Sequence, residues 1–214
     1  MFPLGDENPR RILPIVTWSL IAANALVFVW EVFTPLSMEF IVYRYGFIPA
    51  MGINLRLLTS MFLHADITHI GGNLLYLWVF GDNIEDACGH VSFLLFYLLS
   101  GVAGSLTMLL IEPMSTIPAI GASGAISGIL GAYILLYPHA RIRTIVLAFI
   151  FIRFIRLPAY ILIGFWFLLQ FYYGVAGVTT GVAYWAHIGG FVAGFLLISL
   201  FAWKHRRRRH QPFT

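Results

Sequence analysis

Four polar residues stand where an otherwise apolar chain has little room for them: His69 with Asn73, Ser123, and His187, near the starts of three different apolar segments. Ionisable groups and amides at lipid depth are expensive and tend to mark function. Their types suit one chemistry. A serine hydroxyl is a weak nucleophile until a base about 3 Å away takes its proton, and imidazole titrates near working pH. The tetrahedral intermediate of acyl transfer then needs hydrogen-bond donors aimed at its oxyanion. That role is open to the Asn73 amide, the His69 ring and the Ser123 backbone N–H at a helix start. The four are read as one active site. Asp66 and Asp82 are the nearest carboxylates by sequence, yet one precedes the helix that carries Asn73 and the other follows its core, so a Ser–His dyad is expected without a third acid.

These residues must be carried by membrane elements. The 214-residue chain is 60% hydrophobic and 10% charged, with 19 Phe, 10 Tyr and 6 Trp. Its mean hydropathy is +0.86. A soluble core of this size is excluded, and a polytopic membrane protein of one domain, all-α, is expected over residues 1–214. Roughly 20 apolar residues cross a bilayer. Six spans are read at Leu13–Phe33, Ile70–Phe80 with an extension to Cys88, Val91–Ile111, Ser123–Tyr137, Leu157–Tyr173 and Trp185–Trp203. The first is too long for a cleaved signal peptide and is read as a retained anchor. Only about 12 residues precede it and about 11 follow the last span, so no soluble accessory domain is expected. The stretch Thr144–Arg156 has nine apolar residues before Arg153, too few to span, and is read as an interfacial segment.

Basic residues orient the spans, because Lys and Arg accumulate on the cytoplasmic side. With the N-terminus inside, the inner loops hold Arg10, Arg11, Arg141, Arg143, Arg153, Arg156, Lys204 and Arg206 to Arg209, and the outer loops hold Arg44 and Arg56. Both termini, residues 1–12 and 204–214, are therefore expected in the cytoplasm of a prokaryotic cell, at its inner membrane. The basic tail is expected against anionic lipid rather than nucleic acid. The single cysteine, Cys88, excludes an internal disulfide. Spans two, four and six then all enter from the outer face, which brings His69, Ser123 and His187 to a similar depth.

Helical periodicity agrees. At about 100° per residue, His69, Asn73, Tyr76 and Phe80 lie within about 60° of one another. Gly190 and Gly194 share the face of His187, and Gly124, Ser127 and Gly131 lie toward that of Ser123. Small residues let membrane helices approach closely, so spans four and six can bring Ser123 to His187. Gly121, Ala122 and Gly124 leave the backbone beside Ser123 open to a substrate. His64 is read as bracing the loop, and His90, His139, His205 and His210 as solvated loop residues.

The run from His64 through Asp66, His69, Gly71 and Gly72 to Asn73, then Gly121-Ala122-Ser123-Gly124, then Ala186-His187-Ile188-Gly189-Gly190 with Gly194, closely resembles the rhomboid intramembrane serine proteases, in the family's order. The resemblance covers Leu55 to about Gly194. It implies a six-helix bundle with Ser123 as nucleophile, His187 as base, and His69 and Asn73 assisting the oxyanion. It also implies transmembrane protein substrates and structural roles for Arg56 and Glu85. One departure is Ser127, where some rhomboids place a tyrosine that stacks on the catalytic histidine. The sequence leaves open what orients His187. No cofactor motif is present.

Two other classes fit some of these residues. His64, Asp66, His69 and His187 could supply a three-histidine, one-carboxylate metal shell, which leaves Ser123 and its glycines unexplained. A catalytically inactive rhomboid-like protein that binds client helices would typically lack the serine or the histidine, and both are present.

Overall fold

A computed structural model describes residues 2–148, 151–178 and 180–202. A helix stands at each of the six expected spans: α1 (Ile15–Phe33), α4 (Ile67–Cys88), α5 (His90–Ile111), α6 (Ser123–Leu136), α7 (Ala159–Val175) and α8 (Tyr184–Phe201). Between α1 and α4 lie two short helices, α2 (Met38–Tyr45) and α3 (Arg56–Thr59), with single turns at Pro49–Met51 and Ser60–Phe62. By length and hydropathy α1, α5 and α8 are long and apolar enough to cross a membrane, while α6 and α7 are shorter apolar helices. The 22-residue α4 is more polar because its second half carries Asp82, Glu85 and Asp86. Its ends are set locally. The Asp66 carboxylate accepts from the backbone N–H groups of Thr68 and His69, and Gly89 at φ +85° turns the chain directly into α5.

Every residue from Ala125 to Tyr133 is buried, so α6 is the enclosed helix around which the others pack. A Cβ on Gly190 would overlap the carbonyl of Gly124, and one on Gly194 would overlap the backbone of Gly128. The two helices that carry Ser123 and His187 are thus in backbone contact, as the small residues led us to expect. Gly104 of α5 meets the Ala186 carbonyl in the same way, a contact not read from the sequence. Outward faces are strongly apolar: Leu26, Phe33, Leu110 and Leu200 are 69%, 82%, 79% and 73% exposed, which suits lipid rather than water.

The described residues of Thr144–Arg156, read as interfacial, lie in two paired antiparallel strands. Strands β1 (Phe2–Asp6), β2 (Arg141–Ala148) and β3 (Phe151–Pro158) form an antiparallel sheet in that order. Ile142 pairs with Leu157 and Asp6 with Ile142. The physical reason is alternation: Arg141, Ile142, Arg143 and Thr144 run exposed, buried, exposed, buried, a period of two that a helix cannot use. Residues 2–6, within the N-terminal segment expected in the cytoplasm, are held in this sheet. The basic tail at Lys204 and Arg206 to Arg209, with Trp203, His205 and His210, lies outside the described residues.

Glu85 ties the first helix to the bundle. Its buried carboxylate accepts from the N–H groups of Val16 and Thr17 at 2.9 and 2.8 Å and from the Thr17 hydroxyl at 2.7 Å. These are first-turn donors of α1, which lack helical partners and sit at the positive end of the helix dipole. His90, expected to be solvated and unpaired, places Nδ1 2.6 Å from the same carboxylate. His139, read likewise, packs edge-on against Tyr160. At the same end Asp6 receives the Tyr133 hydroxyl and, at 3.0 Å, the Asn83 amide. Burial pushes its carboxyl up to about 6 against the pull of the Tyr133 bond.

Candidate active site

Ser123 opens α6 and His187 sits in the first turn of α8. Because Gly190 lets the two helices touch, the Ser123 hydroxyl stands 2.7 Å from His187 Nε2. The other ring nitrogen, Nδ1, is 2.8 Å from Oε1 of Gln170 on α7. Trp166, one turn before Gln170, lies against the imidazole with ring centroids 5.9 Å apart and planes 32° from parallel. Ser127, where a stacking aromatic is missing, turns its buried hydroxyl back to the Ser123 carbonyl at 2.6 Å. Gln170 and Trp166 were not read from the sequence. The signal was available: Gln170 is the one amide in an otherwise apolar or aromatic helix, the same anomaly that marked Asn73, and four-residue spacing puts Trp166 on its face.

His69 and Asn73 converge from α4 on the loop before Ser123. Gly121 has φ +119°, and a Cβ there would stand 2.6 Å from His69 Nε2 and 3.5 Å from Asn73 Nδ2, so only glycine leaves room for both groups. The Gly121 N–H is fixed by the Ser60 carbonyl at 2.8 Å. The Ala65 N–H points at His69 Nδ1 at 3.4 Å, which leaves the His69 proton on Nε2, facing the cavity. Asn73 Nδ2 is buried without a hydrogen-bond partner among the described residues. His69, Asn73, Ser123 and His187 border one open cavity of about 780 Å³, together with Tyr76, Ser127 and Trp166.

The remaining predicted residues are placed around this centre. Ala122 is buried, and Gly124 packs against α8 beneath Ser123. His64 is fully buried and stacks edge-on against His69 at 5.1 Å, and its N–H is shared by both oxygens of Glu31 at 3.2 Å. Burial and the neighbouring His69 push the His64 ring down to about 4, so it is neutral in ordinary buffers. Asp66 caps α4, and its bonds to the Thr68 hydroxyl and the His69 N–H hold its carboxyl below the usual range. Arg56 begins α3 with its guanidinium on the Met51 sulfur, and it is hydrogen-bonded to none of the site residues. Glu85 lies at the far end of α4 from His69. Among the described residues no group of three or more His, Cys, Asp or Glu side chains is arranged to hold a metal ion.

Comparison with known proteins bears on this geometry. Residues 52–204 match the model of the Rhomboid domain. Rhomboid protein 1, mitochondrial, of Saccharomyces cerevisiae is 34% identical over 171 residues, covering 73% of this chain and 45% of that protein. Rhomboid protease GluP of Bacillus subtilis is 38% identical over 140 residues, covering 65% of this chain and 24% of GluP. YdcA of the same organism is 29% identical over 212 residues, covering 92% of this chain and 94% of YdcA. The chain thus spans less than half the length of the yeast protein and about a quarter of GluP. The matched region contains every element that carries the site, from α3 to α8. The chain is an integral membrane protein and belongs to the rhomboid family.

Proposed function

We propose that this rhomboid is an intramembrane serine protease that cuts transmembrane segments of membrane proteins near their outer ends with a Ser123–His187 dyad. The observation that carries the reading is the 2.7 Å contact between the Ser123 hydroxyl and His187 Nε2. As Ser123 Oγ bonds to the scissile carbonyl carbon, its proton passes to Nε2 and the carbonyl electron pair becomes the oxyanion. His69 Nε2–H and the partnerless Asn73 amide are donors at hand, with the Ser123 N–H at the start of α6. The protonated His187 then gives its proton to the leaving amine. Water, activated by the same imidazole, releases the acyl group.

A peptide bond within an intact helix has its carbonyl hydrogen-bonded, and lipid offers no substitute partner. Unwinding must therefore precede cleavage, and substrates weakened by Gly, Pro or polar residues near the outer end are preferred. A small residue is expected before the cut, because Ser123 is flanked by Gly121, Ala122 and Gly124 and no bulky side chain there shapes a deep pocket. The test is inactivation by a serine-directed fluorophosphonate but not by a chelator, with cleavage of model transmembrane substrates that quickens as helix breakers are added. Cleavage that persists in Ser123→Ala, or that stops with chelator alone, would sink the reading.

A further inference from the structure

We propose that Gln170 of α7 is the positioning residue of this site, holding the His187 imidazole in the one tautomer and orientation in which Nε2 can take the Ser123 proton. The inference rests on the protease reading above and goes beyond it. A neutral imidazole has one N–H and one lone pair on its two nitrogens, and what faces Nδ1 decides which end of the ring is basic. Gln170 Oε1, 2.8 Å from Nδ1, can only accept. The proton is therefore on Nδ1, and the lone pair on Nε2 faces the serine at 2.7 Å. The opposite arrangement would put a proton between Nε2 and Oγ and leave Ser123 without a base.

The rest of the ring's surroundings leave this task to α7. His69 influences it from α4 and Ser123 faces it from α6, where the Ser127 hydroxyl is turned back to the Ser123 carbonyl. Thr107 of α5 meets α8 at Gly189. Tyr184, the first residue of α8, is engaged with the Thr180 hydroxyl. The carboxylates that border the cavity, Asp66 and Glu112, make no hydrogen bond or ion pair with His187 among the described residues. Ser127 is too small to support the imidazole plane, and Trp166 lies against it instead. An amide has an advantage over an acid here. When His187 becomes cationic, Nδ1–H still donates to Gln170, yet no fixed negative charge stands buried in the apolar interior when it is neutral.

The test uses the full chain purified in detergent. It follows the rate of fluorophosphonate labelling against pH for wild type, Gln170→Leu and Gln170→Glu, alongside kcat and KM on a model transmembrane substrate. Gln170→Leu is expected to slow labelling and kcat by roughly 10-fold or more, with KM within about 2-fold, as for loss of a group that orients a catalytic imidazole. In Gln170→Glu a carboxylate beside the ring favours imidazolium, so the acid limb of the pH profile moves to higher pH. In ¹⁵N spectra of the wild type, His187 is expected to carry its proton on Nδ1. Wild-type rates and pH profile in Gln170→Leu, or a His187 proton on Nε2 in the wild type, would overturn the proposal. If Gln170→Leu does not fold, the wild-type spectrum and the Gln170→Glu profile decide. Absence of labelling in the wild type, or labelling that survives His187→Ala, would instead overturn the protease reading.

Discussion

A hydroxyl and an imidazole that share one proton act as a unit, and removing either should remove all that they do together. Ser123→Ala and His187→Ala are each expected to reduce cleavage to background, with the double variant no worse than either single one. Asn73→Ala should retain activity, down on the order of 10²-fold, because His69 and the Ser123 N–H still face the oxyanion. Turnover of a model substrate by the four proteins checks both statements. At this scale the sequence was informative wherever a group was out of place in lipid: His69, Asn73, Ser123 and His187 all came from that one signal. Gln170 carried it too, but a glutamine amid Phe167, Leu168, Leu169 and Phe171 belongs to no familiar spacing. Glu31 was equally illegible, since its partner is a backbone N–H of His64, 33 residues away, and backbone partners leave no trace in sequence.

The helices were legible in their existence, because each apolar run is long, while their ends are set by local caps that the apolar runs do not mark. Asp66 and Gly89 bracket α4, which begins at Ile67, three residues before the apolar run at Ile70, and ends at Cys88, whereas α6 begins at Ser123, as its apolar run predicts. The strands were not, because the alternation in residues 141–144 is short and apolar content alone suggested an interfacial segment. Two element contacts can be tested. Gly190→Val forces α8 away from the Gly124 carbonyl, and a separation there moves His187 off Ser123. Activity should fall to background, and thermal stability in detergent should drop by about 1–3 kcal/mol or more, the range for overpacking. Glu85→Ala leaves three α1 donors, the two of Thr17 fully buried, without their acceptor. At about 1–3 kcal/mol for each unsatisfied group, it should lower the unfolding midpoint more than any exposed substitution while leaving Ser123 reactive in the folded fraction.

For the whole molecule, the distribution of 11 inner against 2 outer basic residues predicts cytoplasmic termini and an external segment between α1 and α4. Cysteine-accessibility labelling that found Arg44 inside would reverse the orientation. The end of the molecule opposite Ser123 should respond to pH through Asp6. Its carboxyl is raised from 3.8 to about 6 by burial, so the folded state holds this proton more firmly than the unfolded chain. Stability from this group is greatest below pH 4 and falls as pH rises toward 6, then stays level. Asp6→Asn should flatten that part of a melting-temperature profile. The sheet that holds Asp6 also fixes an order of events in biosynthesis. Residues 2–6 are made well before their partner strand, Arg141–Ala148, which follows α1, α4, α5 and α6 in the chain. Strand β1 must wait for β2 until the fourth long helix has been delivered. Strand β1 thus closes only on a chain that already contains its serine, and a nascent protein stalled before residue 141 leaves β1 without its partner strand.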